Sequence, residues 1–314
     1  MQVSLRCFID AVTQLGLPAD SVESLESIYA PVAQWIVGLQ DHKSCPVIIG
    51  VNGAQGSGKS TFCSLLAPLL SEVHGLRTVV LSIDDVYLTR EARIELSRSV
   101  HPLCKIRGVP GTHDVAMAQE VLDRLTQGGC DSPVWVPRFD KAIDDRRPRE
   151  DWDVIDGPVD VILFEGWCVG CIDLPDWSAP INDRELVDDP DGVWVRWSRQ
   201  HLYADYVGLF ERLDALVMLA VPSMNTVVEG RWLQEQDLWA ACGVDGSHEH
   251  RPLGLMTRVE VEDYVALFER YTQHMLKTLP EQADVLISRR DESTYALEHI
   301  SSENVRVYDP EVDG

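Results

Sequence analysis

No apolar run in this chain approaches the ~18–20 residues that a membrane-spanning helix needs. The opening stretch MQVSLRCFIDAVTQLG carries Asp10 inside its apolar pattern, so it predicts no continuous secretory leader. Together these make the cytoplasm the expected location. Positive charge is scarce. Lys and Arg total 27 against 51 Asp and Glu, a formal net charge of −24. Such a surface repels nucleic acid phosphates and anionic lipid. The expected partner is therefore a small-molecule substrate, not nucleic acid and not membrane, with the chain a monomer or small homo-oligomer. An anionic substrate would need a local basic island. Closely spaced cysteines are also few. Of the eight, only Cys168 and Cys171 form a C-x-x-C, whereas zinc normally wants a second pair at ligand spacing. The close His248 and His250 of GSHEH read as polar loop. A cytosolic chain of this size does not suggest a disulfide framework.

The chain instead holds short apolar runs separated by helical patterns. Residues 1–44 read as an N-terminal helical segment packing on the core, with a second amphipathic piece around Ile28–Leu39. Five runs then read as buried strands: PVIIGVNG (46–53), RTVVLSIDD (77–85), VDVILFEG (159–166), DALVMLAVP (214–222) and ADVLISR (283–289). KSTFCSLLAPLLSEVH (59–74) has helical period, with Pro68 expected to disturb it. Further helical patterns cover 114–127, 194–212, 225–241 and 260–278. Strands alternating with helices predict an α/β fold, a parallel five-stranded sheet with helices on both faces. Residues 45–314 read as one domain, with 101–158 as a substrate and lid insertion. Segments 135–158 and 172–192, rich in Pro, Asp and Arg, read as long loops.

GAQGSGKS (53–60) fits G-x-x-x-x-G-K-[ST] and has a strand before it and a helix after it. Glycines let backbone N–H groups curl around phosphate oxygens, and the helix start turns its positive end to the anion. Gly53, Gly56, Ser57, Gly58, Lys59, Ser60 and Thr61 are the expected nucleotide-binding set. Lys59 can reach the β- and γ-phosphates, and the Ser60 hydroxyl can ligate Mg²⁺. No Asn-Lys-x-Asp or Thr-Lys-x-Asp guanine element occurs, which favours ATP.

Asp84 and Asp85 end the second strand and Glu165 ends the third, all on the edge that carries the Gly-rich turn. A carboxylate there can hold Mg²⁺ or accept the proton of an attacking hydroxyl. The same residue types also serve as solvated strand ends or helix caps. A basic island follows in HPLCKIRGVPGTHD (101–114) and VPRFDKAIDDRRPREDW (136–152).

GVNGAQGSGKST, SIDDVYLT, RGVPGTHD, VPRFDKA and DVILFEGWCVG, in this order, resemble the plant-type D-glycerate 3-kinases, which group with uridine kinase, phosphoribulokinase and bacterial pantothenate kinase. The likeness runs from about residue 46 to about 290. It implies a P-loop NTPase kinase fold and transfer of the ATP γ-phosphoryl group to D-glycerate. It also implies Asp84 as base, with Ser60, Asp84 and Glu165 around Mg²⁺. Asp85, Tyr87, Arg107, His113, Asp114 and Lys141 would lie on the substrate side, and Arg146 and Arg147 on a lid. Two departures stand out. KAIDDRRPREDW is short for the lid, and in GRWLQEQ the family's Trp-Arg order is exchanged at Arg231 and Trp232. A kinase for another hydroxylated metabolite, of nucleoside or pantothenate type, stays open. So does a nucleotide-binding metallochaperone using the C-x-x-C.

Overall fold

The structure, a computed structural model, describes residues 2–127, 132–172, 174–175, 179–242, 254–290 and 294–302. Helices α1 (Gln2–Gln14) and α2 (Ala30–Gln40) precede β1 (Val47–Gly53), α3 (Lys59–Pro68) and β2 (Thr78–Ser82). Next come α4 (Arg90–Ser99), α5 (Val115–Thr126) and four short strands, β3 (Val134–Val136), β4 (Phe139–Asp140), β5 (Asp145–Arg146) and β6 (Asp153–Ile155). The chain continues through β7 (Val161–Gly166), α6 (Asp183–Asp188), α7 (Val193–His201), α8 (Val207–Phe210) and β8 (Ala215–Ala220). Helices α9 (Met224–Ala241), α10 (Arg258–Ala266) and α11 (Glu269–Thr278) lead to β9 (Val285–Arg289) and β10 (Tyr295–Ile300).

The sheet order is β10-β9-β8-β1-β7-β2. All pairings are parallel except β10 on β9. The sheet thus has six strands rather than five, and its edge strand is antiparallel. Side chains alternate across it, as strand geometry requires. Val47, Ile49, Val51, Val161, Leu163, Val217 and Leu219 face a core shared with Phe8, Ile36, Phe62 and Leu66 of α1, α2 and α3. Ile48, Leu81, Ile162, Phe164 and Met218 face the other core, with Leu122 of α5, Trp194 of α7 and Met275 of α11. Helices therefore cover both faces, and the parallel strands open their C-terminal ends on one edge.

Pro68 has no N–H to give Ser64, and the backbone after α3 loosens into a π turn over Leu69–Val73. The 260–278 pattern is two helices, split where Leu267 and Phe268 turn into the core. Residues 135–158 are not one long loop. β3 pairs with β6 and β4 with β5, both antiparallel, and β4 meets β5 through a tight turn with Asp144 at φ 59°. Residues 183–188 of the other expected loop form α6. His248 and His250 lie outside the described residues.

Candidate active site

The Gly-rich turn joins β1 to α3. Gly58 takes φ 85° and Gly56 φ 71°, backbone that a side chain would strain. Gly56 is also pressed: a Cβ there would lie 2.2 Å from the Gly230 backbone carbon of α9. At Gly53 a Cβ would meet the Ser57 hydroxyl at 2.3 Å. Ser57 is fully buried and its Oγ has no protein partner. Lys59, Ser60 and Thr61 form the first turn of α3. The turn is thus a backbone cradle at a helix start, suited to phosphate oxygens.

Glu165 pairs in register with Val51 on one side and Ser82 on the other, so the sheet carries it beside the cradle. Its side chain is 5% exposed. Ser60 Oγ donates to Glu165 Oε1 at 3.0 Å, and Glu165 Oε2 is buried without a partner. A buried carboxylate with an unmet oxygen beside a hydroxyl is a hard-oxygen donor set that suits Mg²⁺. Among the described residues no three His, Cys, Asp or Glu side chains converge on one point. A cation here would draw its remaining ligands from phosphate and water, as Mg²⁺ usually does.

Asp84 stands in a 3-10 turn (Ile83–Val86) that Ser82 starts by accepting the Asp84 N–H. Asp84 Oδ1 accepts from the Tyr87 hydroxyl at 2.7 Å, and Oδ2 accepts from Lys141 Nζ at 2.7 Å. Burial alone would raise this carboxyl. The ammonium groups of Lys141 and Lys59, with the two hydrogen bonds, outweigh it and hold Asp84 well below the usual carboxylate range. Asp85 turns away from Asp84. It accepts from Arg138 at 2.6 Å and from the Phe139 N–H at 3.1 Å, and so fastens β4 to the sheet edge.

Segments 86–88 and 112–114 run side by side. Leu88 N donates to Thr112 O at 2.9 Å and Asp114 N to Val86 O at 2.7 Å, and Tyr87 bridges His113. The His113 ring stacks on Tyr87 at 4.4 Å, and its Nδ1 lies 2.6 Å from the Tyr206 hydroxyl. Arg107 pairs with Asp144, and Arg93 reaches the same carboxylate at 3.2 Å. Asp114 caps α5 through Met117 N at 3.1 Å and lies 3.5 Å from Arg146, which itself donates to Tyr87 O at 2.7 Å. Arg147 is half-exposed, 3.5 Å from Asp140. The fold therefore gathers Lys59, Asp84, Tyr87, Lys141 and Glu165 at one edge. Asp85, Arg107, Asp114 and Arg146 hold the surrounding backbone.

Burial lowers His113 to about 4 from an ordinary 6.5, against the pull of Asp84. His113 is thus neutral at physiological pH and offers hydrogen bonds and not a cationic charge. Its depressed value has a sign. Between pH 6.5 and 4 the unfolded chain binds a proton that the folded chain refuses. This contribution to stability is complete above pH 6.5 and is lost as pH falls toward 4. It is on the order of 3 kcal/mol. Denaturant midpoints measured from pH 7 to 4.5 should fall more steeply for the wild type than for His113→Asn. Parallel profiles would count against it.

No protein-family model matches the chain. The uncharacterized kinase mug58 of Schizosaccharomyces pombe is 32% identical over 226 residues, 70% of this chain and 80% of that protein. The chloroplastic D-glycerate 3-kinase of Arabidopsis thaliana is 29% identical over 292 residues, 87% of this chain. The chain belongs to the P-loop kinase family of these proteins. It spans 59% of the plant enzyme's length. The solved D-glycerate 3-kinase of Cryptococcus neoformans has the same fold, with a TM-score of 0.64 at 22% identity over 86% of this chain and 99% of that one. This kinase is a phosphotransferase with a P-loop nucleotide site. Among its described residues no helix is long and apolar enough to cross a membrane.

Sequence reasoning missed three parts of the kinase site. Arg289, at the end of β9, donates to Gly56 O at 3.2 Å, and Tyr295 of β10 donates to Ser57 O at 3.0 Å. Gly230 of α9 presses on the cradle from outside, and a Cβ on it would meet Gly56 O at 2.7 Å. A cation ending a parallel strand was the one available signal, since all such ends share an edge. The neighbouring Arg231 is buried in an ion pair with Glu235 at 2.6 Å and lies 5.7 Å from the Tyr264 ring centre. Trp232 instead takes Arg258 over its ring, at 6.0 Å. Cys168 and Cys171 are both 2% exposed, and burial pushes the Cys168 thiol well up, away from the thiolate that metal binding and redox exchange need.

Proposed function

We propose that this kinase transfers the γ-phosphoryl group of ATP to the C3 hydroxyl of D-glycerate, with Mg²⁺ bound at Ser60 and Glu165. The observation that carries the reading is the pairing of Lys141 with Asp84 at 2.7 Å beside the phosphate cradle. A carboxylate that can take a hydroxyl proton stands next to a cation that can hold an acid. An acceptor with a hydroxyl and a carboxylate on adjoining carbons matches both. The names of the plant and fungal relatives support the same acceptor.

Phosphoryl transfer asks for positioning and charge more than covalent chemistry. Lys59 and the cradle hold the β- and γ-phosphates, and the oxygens of Ser60 and Glu165 hold the metal. Mg²⁺, when bound, neutralises charge spreading over the transferred group. Asp84 orients the hydroxyl and takes its proton. Tyr87 fixes one Asp84 oxygen, so the carboxylate has one orientation. Arg147, half-exposed on the β4–β5 ribbon, is the lid arginine best placed to move over the phosphates.

A nucleoside acceptor has less support. Tyr87 and Phe139 are buried against each other at 5.2 Å, and His113 stacks on Tyr87 at 4.4 Å, so these rings offer a base little face to stack on. Among the described residues no cysteine forms a disulfide, which suits a reducing compartment such as the cytosol. A coupled ADP assay with D-glycerate, L-glycerate, uridine and pantothenate tests the acceptor. ADP release should depend on D-glycerate; dependence on uridine or pantothenate instead would overturn the reading.

A further inference from the structure

The Lys141–Asp84 pair carries a consequence for control of the reaction. Lys141 sits in the turn between β4 and β5, and its backbone is pinned from several sides. Asp140 Oδ1 accepts the Ala142 N–H at 2.9 Å, Gly254 N donates to Ala142 O at 2.9 Å, and Asp144 holds Arg93 and Arg107. Gly254 lies so close that a Cβ there would meet Lys141 O at 1.8 Å. Only the four-carbon stem of Lys141 is free to swing, and a lysine ammonium exchanges partners easily on such a stem. Asp84 has one oxygen on Tyr87 and the other on this ammonium.

We propose that Lys141 is a latch on the base: it occupies Asp84 until the carboxylate of the acceptor draws the ammonium away. This rests on the acid-acceptor reading above. With the latch shut, both Asp84 oxygens are occupied, by Tyr87 and Lys141, and bound ATP is protected from water. When an acid enters, its carboxylate takes Lys141 and places a second negative charge near Asp84. Asp84 Oδ2, until then held by the ammonium, is thereby freed for the hydroxyl as it arrives. The acceptor oxygen then bonds to the γ-phosphorus. The bond from that phosphorus to the bridging oxygen breaks, its electron pair leaves on ADP, and the hydroxyl proton passes to Asp84. Arg107 is a poorer candidate for the same task, because Asp144 already holds its guanidinium.

The latch makes a claim about acids that cannot react. D-lactate has the carboxylate and C2 hydroxyl of D-glycerate but no C3 hydroxyl. It should open the latch and leave water in the acceptor position. Water oxygen then bonds to the γ-phosphorus, ADP leaves, and the water proton goes to Asp84, giving inorganic phosphate. In the wild-type protein with Mg-ATP, D-lactate should raise ADP and phosphate release by about tenfold or more, within the range that a positioned base supplies. Glycerol, which is neutral, should not. Lys141→Met should hydrolyse ATP faster than wild type with no acceptor, phosphorylate D-glycerate poorly, and gain nothing from D-lactate.

Absence of D-lactate stimulation in wild type, together with acceptor-free hydrolysis at or below the wild-type level in a folded Lys141→Met, would sink the latch while leaving D-glycerate turnover intact. Where the variant does not fold, the D-lactate arm on unmodified protein decides alone: with D-glycerate turned over, silence from D-lactate sinks the latch. Faster hydrolysis by Lys141→Met alongside silence from both D-glycerate and D-lactate would keep the latch and overturn the acceptor.

Discussion

Asp84→Asn is expected to lower kcat by about 10²–10⁴-fold, the usual contribution of a positioned base, while ATP still binds. The substitution is isosteric, so the 3-10 turn started by Ser82 keeps its shape. Tyr87 still has an oxygen to donate to. What disappears is the negative charge that, in the proposed reaction, orients the acceptor hydroxyl and takes its proton. The proposed nucleotide site lies on a different stretch of chain, in the cradle and α3. The loss should therefore fall on kcat rather than on the apparent affinity for ATP. A coupled ADP assay read beside calorimetric ATP binding separates the two. Full turnover in the variant would remove Asp84 as base.

Lys59→Met should act differently, weakening ATP binding and lowering turnover together. In the proposed reaction its ammonium is the cradle's cation for the β- and γ-phosphates, and donors aimed at developing charge are worth about 10²–10³-fold each in turnover. Met keeps the length and apolar stem of the side chain. Lys59 is partly exposed at the start of α3, so stability should change by only about 0.5 kcal/mol. A normal melting curve with lost activity is the expected pair of results. Retained ATP affinity and turnover would mean that the cradle's charge comes from elsewhere, with Arg289 the nearest alternative.

How much of this was legible from residues varies with range. The central strands β1, β7 and β8 announce themselves as apolar runs because both their faces are buried, while β2 and β9 alternate buried and half-buried positions. The Gly-rich turn is legible because its glycines serve local backbone needs at Gly56 and Gly58. Glu165 and Asp84 follow from strand ends sharing one edge. β10 escaped notice because YALEHI is half-exposed and carries no apolar run. The β3–β6 and β4–β5 ribbons are two or three residues per strand, too short to show a period. The partners of the site residues were beyond reach for another reason. Tyr295 and Ser57 are 238 residues apart, Arg289 and Gly56 are 233, and Arg107 and Asp144 are 37. Nothing local in SIDDVYLT distinguishes Asp84, which faces Lys141, from Asp85, which anchors Arg138. The neutrality of His113 was out of reach because its burial depends on Tyr87 and Tyr206, brought in from two other segments.

The most direct test is the identity of the product. The purified protein, incubated with Mg-ATP and D-glycerate, should yield one phosphate ester per ADP formed, and phosphorus NMR coupled to the attached protons should place that ester on C3. ADP accompanied only by inorganic phosphate, or an ester on C2, would contradict an acceptor held by its carboxylate at Lys141 with its C3 hydroxyl on Asp84.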